Sequence, residues 1–171
     1  MSRGMKDEQV DHMAPGFDQR SFRDALGAYP TGVTVITALD AGRPLGMTAN
    51  SFASLSLDPP LVLWSPAKRS ARCAAFVAAE RFTIHVLASD QRDLAQGFAA
   101  SGRDPFAEVA WQPGPGGVPE LPDCAAVLRC ARHATFPGGD HELVVGRVES
   151  LSHDADHAPL VFHRGDYPSL A

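Results

Sequence analysis

Gly32 to Pro44, GVTVITALDAGRP, is the stretch from which the architecture follows. Val33, Val35 and Thr37 alternate with Thr34, Ile36 and Ala38 at the two-residue period of a β-strand, and Asp40-Ala41-Gly42 supplies a hairpin turn, so a return strand begins near Arg43. Upstream, Asp18 can cap a short amphipathic helix in which Phe22, Ala25, Leu26 and Tyr29 recur at three- and four-residue spacing, and Pro30 stops it. Downstream, Gly46 to Leu57 (GMTANSFASLSL) carries no charged side chain but is rich in hydroxyl and amide groups. Asp58-Pro59-Pro60 breaks the chain before an apolar strand from Leu61 to Trp64.

The remaining pattern has the same texture. Arg69 to Glu80 is Ala-rich, with Cys73, Phe76 and Val77 on one side, and is expected to form a helix packed on the sheet. A strand over Phe82 to Leu87 follows, then a helix over Asp90 to Ala100, capped by Ser89 or Asp90, with Leu94, Ala95 and Phe98 inward. Pro113 to Pro122 is expected to be a loop. Ala125 to Phe136, Glu142 to Leu151 and Leu160 to His163 read as strands joined by Pro137-Gly138-Gly139-Asp140 and by a loop from His153 to Pro159. Fifteen Gly and fourteen Pro among 171 residues imply many turns and short elements. The expectation is a mainly β protein, a closed antiparallel barrel with a few short helices over its ends and seams.

At roughly 100–200 residues per domain, the length sets a single domain, read as residues 18–171, preceded by a polar extension over 1–17. Fifteen Lys and Arg against twenty Asp and Glu leave a net charge of −5 and a pI near 5.7, which gives no global field toward nucleic acid or an anionic membrane. No apolar run approaches a membrane span, and Met1 to Gly16 has no apolar signal-peptide core, so the protein reads as cytoplasmic. Three cysteines, Cys73, Cys124 and Cys130, with no C-x-x-C spacing, read as reduced structural thiols. Cys124 and Cys130 share strand parity and are expected on one face.

Several motifs fail on chemistry. Gly114-x-Gly116 meets Pro119 where a dinucleotide fingerprint needs its third glycine, and Gly27 to Gly32 is followed by Val33-Thr34 where a P-loop needs Lys-Ser or Lys-Thr. His141-Glu142 has Val145 in place of a second zinc-binding His. His153 to His157 holds four potential ligands but reads as a solvated turn, so no metal is expected. What survives is local. Lys68-Arg69-Ser70-Ala71-Arg72 concentrates cations at an expected helix start, a setting that suits phosphate. Thr48-Ala49-Asn50-Ser51, with the only Asn in the chain, offers neutral donors and acceptors suited to the edge of a flat heteroaromatic ring. Together they describe the two ends of a nucleotide-like cofactor.

Phe22-Arg23, Thr31-Gly32-Val33-Thr34-Val35, Gly46-Met47-Thr48-Ala49-Asn50-Ser51-Phe52 and Ser56-Leu57-Asp58-Pro59-Pro60-Leu61 resemble, in order and spacing, the flavin reductase family. These are the short reductase components of two-component monooxygenases. The resemblance continues through Phe82 to Leu87, Gly139-Asp140-His141, Gly146-Arg147-Val148, Pro159-Leu160-Val161 and Arg164-Gly165-Asp166-Tyr167. It implies a split β-barrel, a homodimer with flavin near the subunit interface, and reduction of FMN or FAD by NADH or NADPH, with reduced flavin passing to a separate monooxygenase. Carried over, Thr48, Ala49, Asn50 and Ser51 line the isoalloxazine and ribityl chain, with Thr31 joining the cofactor-binding set. Ser65, Lys68, Ser70 and Arg72 lie along the phosphate end, and Phe98 and Ala99 flank the flavin. His141 faces the nicotinamide and positions it, as a donor to its carboxamide or phosphate. Arg72 stands where the family commonly has Thr, His85 where it has Asn, and Trp64 is bulkier than usual. Rival readings on the same barrel are a non-catalytic flavin carrier or sensor and a dedicated flavin oxidase.

Overall fold

The computed structural model describes Gly16 and residues 18–170. The reading of residues 1–17 as a polar extension therefore falls, Gly16 aside, outside the described residues. Helix α1 (Gln19–Gly27) starts where the Asp18 carboxylate accepts the Ser21 N–H at 2.7 Å. It buries none of its residues, and Leu26 and Tyr29 are 59% and 76% exposed, so its apolar stripe faces outward.

Strand β1 (Thr31–Gly32) leads into β2 (Thr34–Asp40), which pairs antiparallel with β3 (Arg43–Ala49). Ala41 and Gly42, with φ of 48° and 80°, make the two-residue turn whose backbone twist matches the strands it joins. Next come β4 (Ala53–Leu57), β5 (Pro60–Trp64), helix α2 (Cys73–Ala78), β6 (Arg81–Val86) and helix α3 (Arg92–Ala99). After two minor strands, β7 (Gln112–Pro113) and β8 (Pro119–Glu120), a long hairpin of β9 (Ala126–Gly138) and β10 (His141–His153) is followed by β11 (Val161–Phe162), which pairs with β1. The main sheet has seven strands in the order β3-β2-β6-β9-β10-β5-β4, every pairing antiparallel.

Two apolar clusters explain why β2 is buried on both faces from Thr34 to Ala38. Ile36 and Ala38 join Val62, Trp64, Phe76, Phe82, Ile84, Cys130 and Val144, residues drawn from strands far apart in the sheet order, so the sheet is rolled around them. Val33 and Val35 join Ala95, Phe98, Phe106, Leu121 and Val127 beneath α3. The bulk of Trp64 is absorbed in the first cluster, its ring edge-on to Phe76 at 5.0 Å.

Four expectations are corrected. The closed barrel read from the alternation is open between the edge strands β3 and β4, which no ladder joins among the described residues, so the split barrel that the resemblance implied is the one that forms. The helix expected over 69–80 shrinks to Cys73–Ala78, since Lys68 N–H is drawn to Asp140 O and Ser70 N–H closes a turn on Ala67 O. Neither Ser89 nor Asp90 caps α3. Gln91 holds that position, and its side chain instead accepts Ala88 N–H and donates to Pro122 O. Cys124 and Cys130 belong to different clusters, because Cys124 lies before β9 begins and strand parity does not extend to it. All three cysteines are free and buried. Among the described residues no helix is long and apolar enough to cross a membrane.

Candidate functional site

A cleft of about 870 Å³ opens where β3, the 66–72 turn and the end of α3 meet. Its floor is the second strand of the first hairpin, Pro44 to Thr48, and carries no charge. One wall is Ala67 and Arg69 to Arg72, and the other is Phe98, Ala99 and the segment from Ser101 to Phe106.

Close packing brings α3 onto this floor. A Cβ at Gly46 would stand 2.3 Å from the Phe98 ring, so only glycine lets the helix lie this near β3. Phe98 is fully buried and meets Phe106 edge-on at 5.0 Å, and the Thr48 hydroxyl donates to Ala95 O at 2.6 Å. Arg72 completes the joint. Its Nη1 donates to Gly46 O at 2.7 Å and Phe98 O at 3.0 Å, and its Nη2 donates to Ala100 O at 2.9 Å.

The tip of the β9–β10 hairpin is laced to the first wall. Lys68 N–H donates to Asp140 O at 2.9 Å, Glu142 N–H to Pro66 O at 3.0 Å, and Lys68 Nζ lies 3.4 Å from the Glu142 carboxylate. His141, bridged through its backbone to Ala67, has Nδ1 2.8 Å from the Asp140 carboxylate. That hydrogen bond draws the Asp140 carboxyl below its ordinary range.

Of the residues singled out in the sequence, Thr48, Ser70, Arg72, Phe98 and Ala99 line this cleft. Lys68 is paired with Glu142 and does not line the cleft, whereas its neighbour Arg69 does. Ser51 and Ser65 act on each other: the Ser51 hydroxyl accepts Ser65 N–H at 2.9 Å and so pins the β3–β4 connection to the end of β5. Ala49 offers its carbonyl to the Thr34 hydroxyl, and Asn50 is exposed in the same connection. Thr31 is not brought to the cleft: it pairs with Phe162 in the β1–β11 ladder. Arg72, expected along the phosphate end, has three of its five guanidinium donors engaged by main-chain carbonyls. Sequence reasoning missed Met47, Arg69, Arg103 and Asp104 as lining residues. Arg69 stood inside the basic run, but side-chain direction in a turn has no period to read. Arg103 and Asp104 lie in a loop that nothing in sequence ties to β3.

The chain folds as a split barrel in which an uncharged strand floor lies between two walls that each carry arginine. The flavin reductase like domain model matches residues 26–171 of this chain. FMN reductase (NADH) SmoA of Agrobacterium fabrum is 50% identical over 152 residues, covering 89% of this chain and 86% of that protein. The reductase subunit HsaB of a flavin-dependent monooxygenase of Rhodococcus jostii is 41% identical over 157 residues, covering 92% of this chain and 80% of its own length. The solved structure of Streptomyces globisporus NADH:FAD oxidoreductase SgcE6, in complex with NAD and FAD fragments, superimposes with a TM-score of 0.86 at 36% identity, over 90% of this chain and 93% of that one. The chain belongs to the flavin reductase like family.

Proposed function

We propose that the chain is an NAD(P)H:flavin oxidoreductase that reduces FMN or FAD and supplies the reduced flavin to a separate flavin-dependent monooxygenase. The observation that carries the reading is the cleft. It presents a neutral floor for a ring and arginines on both walls for phosphate, in a chain of net charge −5. Its size falls within the roughly 300–1,000 Å³ usual for cofactor sites. A flavin bound there supplies the hydride acceptor for the nicotinamide.

The chain's own work is positioning and exclusion of water, the mode of catalysis that hydride transfer needs most. Gly46, Met47 and Thr48 would carry a bound ring, and Phe98 packed edge-on against Phe106 keeps that wall rigid. Asp140 orients His141. With Nδ1–H donated to the carboxylate, a neutral imidazole presents Nε2 as an acceptor for the nicotinamide carboxamide N–H, and a charged one presents it as a donor to phosphate. His141 lies beside the wall of the cleft and serves nicotinamide rather than flavin. The outward stripe of α1 and the 96% exposed Leu57 support a homodimer, since exposed apolar groups of this size mark interfaces. The free thiols agree with a cytoplasmic setting.

Oxidation of NADH and NADPH in air, with FMN and FAD each titrated from zero, tests the reading. Saturable turnover that depends on added flavin is expected. His141→Ala is expected to raise the KM for NADH about tenfold with the flavin KM unchanged, the loss that one charge-assisted contact implies. Flavin binding with no nicotinamide turnover would move the chain to the carrier or dedicated-oxidase reading.

A further inference from the structure

The arginines of the cleft are of two kinds. Arg72 is half-buried and turned into the protein, with Nη1 and Nη2 on three carbonyls: Gly46 O on β3, and Phe98 O and Ala100 O at the end of α3. The last carbonyls of a helix have no intrahelical partner and carry its negative end. Exposed to the cleft, those of α3 would repel an anion, and Arg72 covers them.

Arg69 and Arg103 are different. Both are solvent-exposed, they stand on opposite walls of the same cleft, and no hydrogen bond or ion pair of either guanidinium is seen among the described residues. The charge of Arg69 is felt by Asp140. Among the described residues, Asp104 is the one carboxylate lining the cleft, and it already accepts Phe106 N–H at 3.0 Å. Ser70 Oγ accepts Arg72 N–H at 3.3 Å, which leaves its proton to donate.

We propose that the 5′-phosphate of the flavin is clamped between Arg69 and Arg103, and that Arg72 is a positioning residue that braces β3 against α3 without touching the phosphate. The inference rests on the cleft being the flavin site. It separates three guanidiniums into two that read the ligand's charge and one that shapes the pocket for its ring.

Riboflavin has the same ring without the phosphate, so comparing it with FMN distinguishes the two roles. Dissociation constants for both are measured on the full chain by flavin fluorescence quenching. For the native protein FMN is expected to bind more tightly than riboflavin. Arg69→Ala and Arg103→Ala are each expected to weaken FMN about tenfold and leave riboflavin unchanged, the size of one charge-assisted contact. Arg72→Ala is expected to weaken both ligands by the same factor. Arg72→Lys is expected to restore little, because an ammonium cannot fork to three carbonyls.

An FMN preference that survives in both the Arg69 and Arg103 variants overturns the clamp. A preference abolished by Arg72→Ala and kept by Arg72→Lys overturns the brace, since it would make Arg72 a charge partner of the phosphate. Should Arg72→Ala not fold, the two exposed arginines decide the clamp and Arg72→Lys decides the brace. If the native protein binds neither flavin, the reading of the cleft itself fails, and that result is distinct from equal binding of the two.

Discussion

His85 is fully buried at the crossing of β2, β6 and the segment that follows β8. Its Nδ1 donates to Val35 O at 3.0 Å, and its Nε2 accepts Leu121 N–H at 3.1 Å. One nitrogen must donate and the other accept, so these partners hold a neutral ring. Burial pushes its pKa down from 6.5 to about 4, against the opposing pull of the Val35 carbonyl and nearby Glu120. The unfolded chain therefore binds a proton that the folded chain refuses between those values. This contribution to stability is complete above pH 6.5 and is lost as pH falls toward 4, amounting to about 3 kcal/mol over that span. Urea midpoints measured across the range should decline toward acid. In His85→Asn, whose amide can both donate and accept, that part of the decline should vanish, and an unchanged decline would contradict the account. Sequence shows His85 as a departure from the family's Asn. It does not show that both of its nitrogens are committed, because that depends on a contact 36 residues away.

At the scale of elements, the joint between β3 and α3 shapes the cleft. Gly46→Ala would place a methyl carbon 2.3 Å from the ring of Phe98, which is fully buried against Phe106 and cannot retreat. Overpacking of this kind costs about 1–3 kcal/mol, which lowers Tm by several degrees at about 2–4 °C per kcal/mol for a chain of this size. Flavin affinity should fall with it, and thermal unfolding together with a flavin titration checks both. Elements with local signals were legible: the Ala41-Gly42 turn, the Asp18 cap and the inward positions Ala95 and Phe98 of α3. The helix over 69–80 was overestimated because alanine propensity is a weak local preference. The hydrogen bonds of Lys68 and Ser70 and the reach of Arg72 across to α3 outweigh it. The 113–122 segment reads as a loop, yet it buries Glu120, whose carboxylate takes both Nε and Nη2 of Arg129 at 2.5 and 2.7 Å. No local pattern marks an ion pair formed by folding a loop back onto β9.

For the whole molecule, the fold class was legible because alternation and turn residues recur throughout the chain, whereas the cleft was legible only in part. Its floor and the basic wall lie in contiguous motifs, but the second wall is assembled from the end of α3 and the loop beyond it. That assembly is a property of the rolled sheet. The outward face of α1 extends the account to the quaternary level, since Leu26 and Tyr29 are more than half exposed. Sedimentation should show a dimer of the full chain, and Leu26→Glu together with Tyr29→Glu should shift it toward monomer, whereas a native monomer at all concentrations would contradict the dimer. In the proposed reaction this cleft brings a flavin and a reduced nicotinamide together for hydride transfer. Its most direct test is anaerobic mixing of the protein with FMN and NADH while the visible absorbance of the flavin is followed. Bleaching is expected at a rate proportional to protein concentration, with NADH consumed mole for mole with flavin. Flavin that binds yet keeps its absorbance in excess NADH and excess NADPH would contradict it.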